Sequence, residues 1–190
     1  MYVMYDSVTV DQIPEQPHAV AGYVNGSYAN VDKLKERFPD ARLLTISVGA
    51  SDEIADCYDI ENGDYKPSDA AELYQNAVRA GVWRPCFYAD LSNMPAVKKS
   101  LNTVVKNRSD IRLWVALYDN SPYLPEGYDA KQFTDKALGR NLDESICDST
   151  FFKAVPKKVV TPVKPVEPAK PIHATIEYDP TTDQWVITRL

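Results

Sequence analysis

The chain has 190 residues, 44% hydrophobic and 25% charged, an ordinary globular composition. Its 27 acidic and 21 basic residues leave a net charge of −6, against the basic stripe that a phosphate-backbone binder carries. No run approaches the ~20 apolar residues that a membrane-spanning helix needs, so neither a nucleic-acid nor a membrane partner is expected.

Met1 to Gln12 has no basic region and no long apolar stretch, so no signal peptide is expected. Cys57, Cys86 and Cys147 form neither a disulfide framework nor a CxxC metal site, and they read as small buried hydrophobes. His18 and His173 lie beside prolines or in linker-like sequence, which disfavours a histidine metal site and a Ser-His-Asp triad. The glycines contain no GxGxxG and no GxxxxGK, so no phosphate-cradling loop is expected.

In chain order, Tyr2–Tyr5 is a short strand ending at Asp6. Ala19–Tyr23 is a second strand, followed by Asn25-Gly26, and Val31–Phe38 is a short helix stopped by Pro39. Leu43–Val48 is an unbroken apolar run, the mark of a strand buried on both faces. Cys57–Ile60 is the next strand. Pro67-Ser68-Asp69 opens a helix that runs to Ala80, with Gly81 beyond its end. Pro85–Ala89 is a strand, Met94–Val105 a helix and Ile111–Tyr118 a strand; Ala130–Phe133 and Ser145–Phe152 close the series. Strands alternating with helices predict a parallel sheet. The chain is shorter than the ~250 residues of a full eight-fold α/β barrel. It accommodates about five βα units followed by shorter strands.

The barrel domain is therefore placed at residues 1–155. A Pro/Lys-rich extended linker follows over 156–173, carrying Pro156, Pro162, Pro165, Pro168 and Pro171. Residues 174–190 read as a C-terminal β-hairpin, Ala174–Tyr178 and Gln184–Thr188 around a turn with Pro180. A lone hairpin is marginal in water, so it is expected to mediate self-association or attachment to a partner protein.

In parallel α/β folds the chemistry sits at the carboxyl ends of the strands. Asp6, Asp59, Glu61, Asp90, Asp119 and Asp148 all fall at or near strand ends. Asp59 and Glu61 are two residues apart, so on a strand they share one side at roughly 7 Å. Carboxyls so placed resist joint ionisation, giving an acid beside an anion, the division that glycoside hydrolysis uses. The alternative is a pair of loop carboxylates before an Asn62-Gly63-Asp64 turn. Tyr23, Tyr58, Trp83, Tyr88, Trp114 and Tyr118 lie on or beside strand ends, as sugar-stacking faces or as core.

Six motifs then occur in a telling order: Tyr5-Asp6-Ser7; Tyr58-Asp59-Ile60-Glu61; Pro85-Cys86-Phe87-Tyr88; Leu113-Trp114-Val115-Ala116-Leu117-Tyr118; Lys131-Gln132-Phe133-Thr134; and Cys147-Asp148-Ser149-Thr150-Phe151-Phe152. From Met1 to Phe152 the chain resembles family 25 glycoside hydrolases, the lysozyme-type muramidases common in phage endolysins. Lys131 stands where that family has Trp, and Thr150 where it has Asn.

The resemblance implies a small TIM-like α/β barrel of the (β/α)5β3 type. It implies Glu61 as general acid and Asp59 as its charge-stabilising or N-acetyl-orienting partner, with Asp6 and Asp148 as flanking aspartates. Tyr23, Tyr88, Trp114, Tyr118 and Gln132 would contact substrate. The expected reaction is retaining cleavage of the β-1,4 bond between N-acetylmuramic acid and N-acetylglucosamine in peptidoglycan, or a related cut in another polysaccharide. No metal and no cofactor are implied. The expected setting is a host cytoplasm with release to the cell wall, or a virion. The alternative is a barrel without turnover, serving as a cell-wall-binding or virion structural module.

Overall fold

The computed structural model describes residues 1–49, 53–152, 174–179 and 184–189. The chain divides into two units, Met1–Ala154 and Val155–Leu190.

In the first unit eight strands close a barrel in sequence order: β1 (Tyr2–Asp6), β2 (Ala19–Tyr23), β3 (Arg42–Ser47), β4 (Cys57–Asp59), β5 (Cys86–Asp90), β6 (Arg112–Ala116), β7 (Ala130–Thr134) and β8 (Asp143–Cys147). Every neighbouring pair from β1 to β7 is parallel. β8 runs antiparallel to both β7 and β1. A mixed, barrel-like α/β fold is the result.

Among the described residues three α-helices cover it. α1 (Val31–Arg37) follows β2, α2 (Ala70–Arg79) follows β4, and α3 (Met94–Leu101) follows β5. This corrects the expectation of five βα units. The β1–β2 connection carries Pro14 and Pro17, which remove helix donors, and it forms only the 3-10 turn Val10–Gln12. Residues 48–56, between β3 and β4, are fewer than the dozen or so of a helical crossover. α3 stops at Leu101 rather than Val105, and the amides of Val104 and Val105 share the Leu101 carbonyl beyond its end. Pro67–Asp69 is a 3-10 turn leading into α2, with Asp69 accepting from the Lys66 amide at 2.9 Å.

Side chains alternate across each strand. Met4, Ala19, Ala21, Leu44, Ile46, Cys57, Cys86, Trp114, Ala130 and Cys147 fill the barrel interior. Tyr58, Phe87, Ala89, Leu113 and Val115 point outward onto Leu73 and Ala77 of α2 and Met94, Val97 and Leu101 of α3. Leu34 and Phe38 cover Val20 on the opposite flank. There α1 approaches so closely that a Cβ at Gly22 would stand 2.2 Å from Leu34 Cδ1.

The closing strand also differs from expectation. The sequence predicts one run over Ser145–Phe152, but β8 stops at Cys147. Asp148 then starts a turn, closed by Phe151 N–H on the Asp148 carbonyl at 3.1 Å. Phe151 and Phe152 are buried with the interior residues. At this amino end of the parallel strands Arg112 is buried and donates to the carbonyls of Arg84, Phe151, Asp56 and Trp83 at 2.6–3.4 Å.

In the second unit β9 (Ala174–Asp179) and β10 (Gln184–Arg189) pair antiparallel, from Gln184 opposite Asp179 to Arg189 opposite Ala174. The linker expected at 156–173 and the turn at 180–183 lie outside the described residues.

Candidate active site

Parallel strands deliver their carboxyl ends to one rim, and β8, being antiparallel, delivers its amino end there. A cavity of about 120 Å³ opens at this rim. Four carboxyl groups reach it: Asp6 from the end of β1, Asp59 and Glu61 from the end of β4, and Asp143 from the start of β8. Tyr23, Ile46, Tyr88, Trp114, Tyr118 and Gln132 form the rest of its lining.

The β4 pair arises from strand periodicity. Cys57 and Asp59 face inward while Tyr58 and Ile60 pack outward, and the Ile60 amide continues the ladder to the Tyr88 carbonyl at 2.8 Å. That carries Glu61 to the same side as Asp59. The ends of β1 and β2 are pinned by Asn30, whose Oδ1 accepts from the Tyr23 amide at 3.0 Å and whose Nδ2 donates to the Ser7 carbonyl at 2.9 Å. Asp6 and Asp143 are direct cross-strand partners in the β1–β8 register.

Among the described residues, none of these four carboxyls is in an ion pair. Burial, then the charge of Asp143 and a hydrogen bond to it, raise Asp6 well above the carboxylate range. Burial raises Asp143 too, but hydrogen bonds from Asp6 and Gln132 favour its anion. Asp6 is thus the protonated donor and Asp143 the accepting carboxylate. Burial first, then the charges of Glu61 and Asp64, push Asp59 up to about 8. Glu61 is raised by burial and by the charges of Asp90 and Asp64, while a hydrogen bond from the Tyr88 hydroxyl works the other way. Burial beside the same acids raises Tyr23 and Tyr88. Asp6 Oδ1 and Asp59 Oδ1 are buried and, among the described residues, lack a hydrogen-bond partner. An unsatisfied buried acceptor costs about 1–3 kcal/mol, so a ligand hydroxyl or amide arriving there relieves two such penalties.

The walls are aromatic. Tyr88 lies tilted on Trp114 with ring centroids 4.5 Å apart, and Trp114 Nε1 donates to Ser145 Oγ at 3.1 Å. Tyr88 and Tyr118 bring their hydroxyls to 3.4 Å. Among the described residues no three His, Cys, Asp or Glu side chains are placed to hold a metal ion.

Asp6, Asp59, Glu61, Tyr23, Tyr88, Trp114, Tyr118 and Gln132 thus meet in one cavity. Asp148 does not, and its expected place there is corrected. It lies past the end of β8, at the opposite rim, where Oδ1 accepts from the Thr150 amide and hydroxyl, both at 2.7 Å. Those bonds hold its carboxyl below the usual range. Asp143, which sequence reasoning missed, takes the fourth position. The signal was available in principle: the acid of an antiparallel closing strand must begin it, not end it.

Other strand-end acids are structural. Asp90 accepts from Ser92 and Asn93 at the start of α3. Tyr58 is in the outer core, and Trp83 lies against the Arg84 and Arg112 guanidinium groups at the other end of the barrel.

No family model matches the chain, and no curated protein matches it. Among solved structures, the crystal structure of an uncharacterized B. stearothermophilus protein is similar to it, with a TM-score of 0.54 and 14% identity over 79% of this chain and 97% of that one. At that identity the likeness is one of fold.

Proposed function

We propose that the barrel is a glycoside hydrolase acting on peptidoglycan, a lysozyme-like protein of a phage or bacterial lytic system. We read its architecture as a reduced form of the TIM-like (β/α)5β3 arrangement. The observation that carries the reading is the convergence of Asp59 and Glu61 on one aromatic-walled cavity above the Asp6–Asp143 pair.

The chemistry follows from the shared proton. With the cavity empty, Asp59 keeps its proton up to about pH 8, and the two β4 carboxyls behave as a coupled pair. A saccharide whose anomeric carbon gains positive charge favours the anion at Asp59 and leaves the proton on Glu61. Glu61 then gives that proton to the glycosidic oxygen, the bond from oxygen to the anomeric carbon breaks, and the leaving sugar departs as an alcohol. Water adds to the anomeric carbon and returns a proton to the Glu61 carboxylate. The β-1,4 bond after N-acetylmuramic acid is the expected cut, with net retention. Asp143 supplies further negative potential, while neutral Asp6 spares the site a third charge.

Glu61→Gln tests this: clearing of purified cell wall should fall about 10²–10⁴-fold, the share that general acid catalysis contributes, with an unchanged melting profile. Clearing at the wild-type rate refutes the assignment.

A second reading is favoured by size. The cavity is about 120 Å³, below the ~300 Å³ at which ligand pockets begin. A barrel that binds wall glycan without turnover, as a wall-binding or virion module, fits that figure. Wild-type protein that sediments with cell wall yet releases no new reducing ends selects it.

A further inference from the structure

The wall residue Tyr118 sits past the end of β6, and the connection to β7 has no helix among the described residues. Its ring is 54% exposed, and its hydroxyl contact to Tyr88 is long, at 3.4 Å. Something else must fix it. The backbone here clings to β7 through Leu117 N–H on the Gln132 carbonyl and Asn120 N–H on the Phe133 carbonyl, both at 2.9 Å. It reverses at Asn120, which has φ +55°.

Beneath this reversal lies Lys131. Strand alternation sends its neighbour Gln132 into the cavity and Lys131 to the outer face, where it is 1% exposed. Its ammonium meets both Asp119 carboxylate oxygens at 2.7 and 2.8 Å and the Ser121 carbonyl at 2.9 Å. Asp119 Oδ1 also accepts from the Ser121 amide at 2.9 Å. An apolar side chain would fill this space as well or better, since buried ion pairs contribute little net stability. What a three-acceptor ammonium adds is direction: it fixes Asp119, and with it the adjoining Tyr118.

We propose that Lys131 is a positioning residue, which through Asp119 holds Tyr118 as the cavity wall against which a saccharide ring packs. The saccharide part rests on the hydrolase reading above; the anchoring part does not. Tyr118 contacts the sugar in ground state and transition state alike, so the loss of its placement falls on binding.

The test pairs hydrogen exchange with kinetics in Lys131→Met and in the milder Asp119→Asn. Exchange at the Asn120 and Ser121 amides should quicken about tenfold or more while the barrel-strand amides hold, because local opening is governed by local contacts. KM for peptidoglycan should rise about five- to tenfold with kcat within about twofold of wild type, the signature of lost uniform binding. The double variant should be no worse than Lys131→Met alone. A lower melting temperature with unchanged KM overturns the proposal, as does unchanged exchange. Should wild-type protein neither cleave nor bind cell wall, the hydrolase reading fails by itself. The exchange rates then decide the anchor: faster exchange upholds it and unchanged exchange refutes it.

Discussion

The two ends of the barrel treat charge in opposite ways. At the amino end Asp129 is clamped by Arg84 at 2.9 Å and Arg108 at 2.5 Å, and it also accepts from the Leu113 amide at 2.8 Å. Buried Arg112 donates to four carbonyls from three connecting segments. At the carboxyl end four acids converge with no cation in contact, and two of their oxygens have no partner among the described residues. One end ties the connections together; the other concentrates repulsion and desolvation where a ligand enters. Carboxyls perturbed by burial and by one another, gathered in a cleft, mark a candidate functional site.

The largest effect should come from breaking the satisfied end. Asp129→Ala strands two guanidinium groups and the Leu113 amide, and removing one partner of a buried ion pair costs about 3–5 kcal/mol. Urea unfolding should show a loss near the lower figure, since Arg108 is 45% exposed at its side chain. A loss under about 1 kcal/mol, the level of a surface pair, would remove the contrast between the ends.

The unsatisfied end should respond with the opposite sign. Asp59 is raised to about 8 in the folded protein, whereas an unfolded aspartate titrates near ~3.9. Below about pH 4 both states hold the proton and the site costs nothing; as pH rises towards 8 the unfolded chain ionises freely and the folded one resists. Wild-type stability therefore falls across that window. Asp59→Asn should match wild type near pH 4 and exceed it by a margin that grows towards pH 8. Melts at both pH values decide this, and a variant that gains nothing at pH 8 shows that Asp59 is not strained.

Much of this layout was legible in the residues. The eight barrel strands fall within a few residues of the apolar runs that announced them, because inward and outward faces are both buried and leave little else for such runs to do. Tyr23, Asp59, Glu61 and Tyr88 fall at one rim by strand direction, while Gln132 came only from the family resemblance. What failed was connectivity and sense. The expected count of about five βα units exceeds the helices read from the residues, and Pro14 and Pro17 leave the β1–β2 connection without one. Phe151-Phe152 looked like strand and instead packs as an end plug, which displaced the reading of β8 and hid Asp143. Asn30 and Lys131 act through side-chain hydrogen bonds to other segments, two for Asn30 and three for Lys131, and no periodicity marks those.

The smallest effect separates Asp143 from Asp148, which lie at opposite ends of the same strand. Asp148 serves only its own turn, accepting from the Thr150 amide and hydroxyl, and the loss of such a cap costs about 0.5–2 kcal/mol. Asp148→Ala should thus shift the melting temperature slightly and leave cell-wall clearing untouched. Asp143→Asn removes the anion that accepts the Asp6 proton. That change should depress clearing while raising stability at neutral pH, because the burial of the Asp143 charge no longer has to be met. If the two substitutions exchange phenotypes, the acids that matter do not face the cavity, and the carboxyl rim loses its claim to be the working end of the barrel.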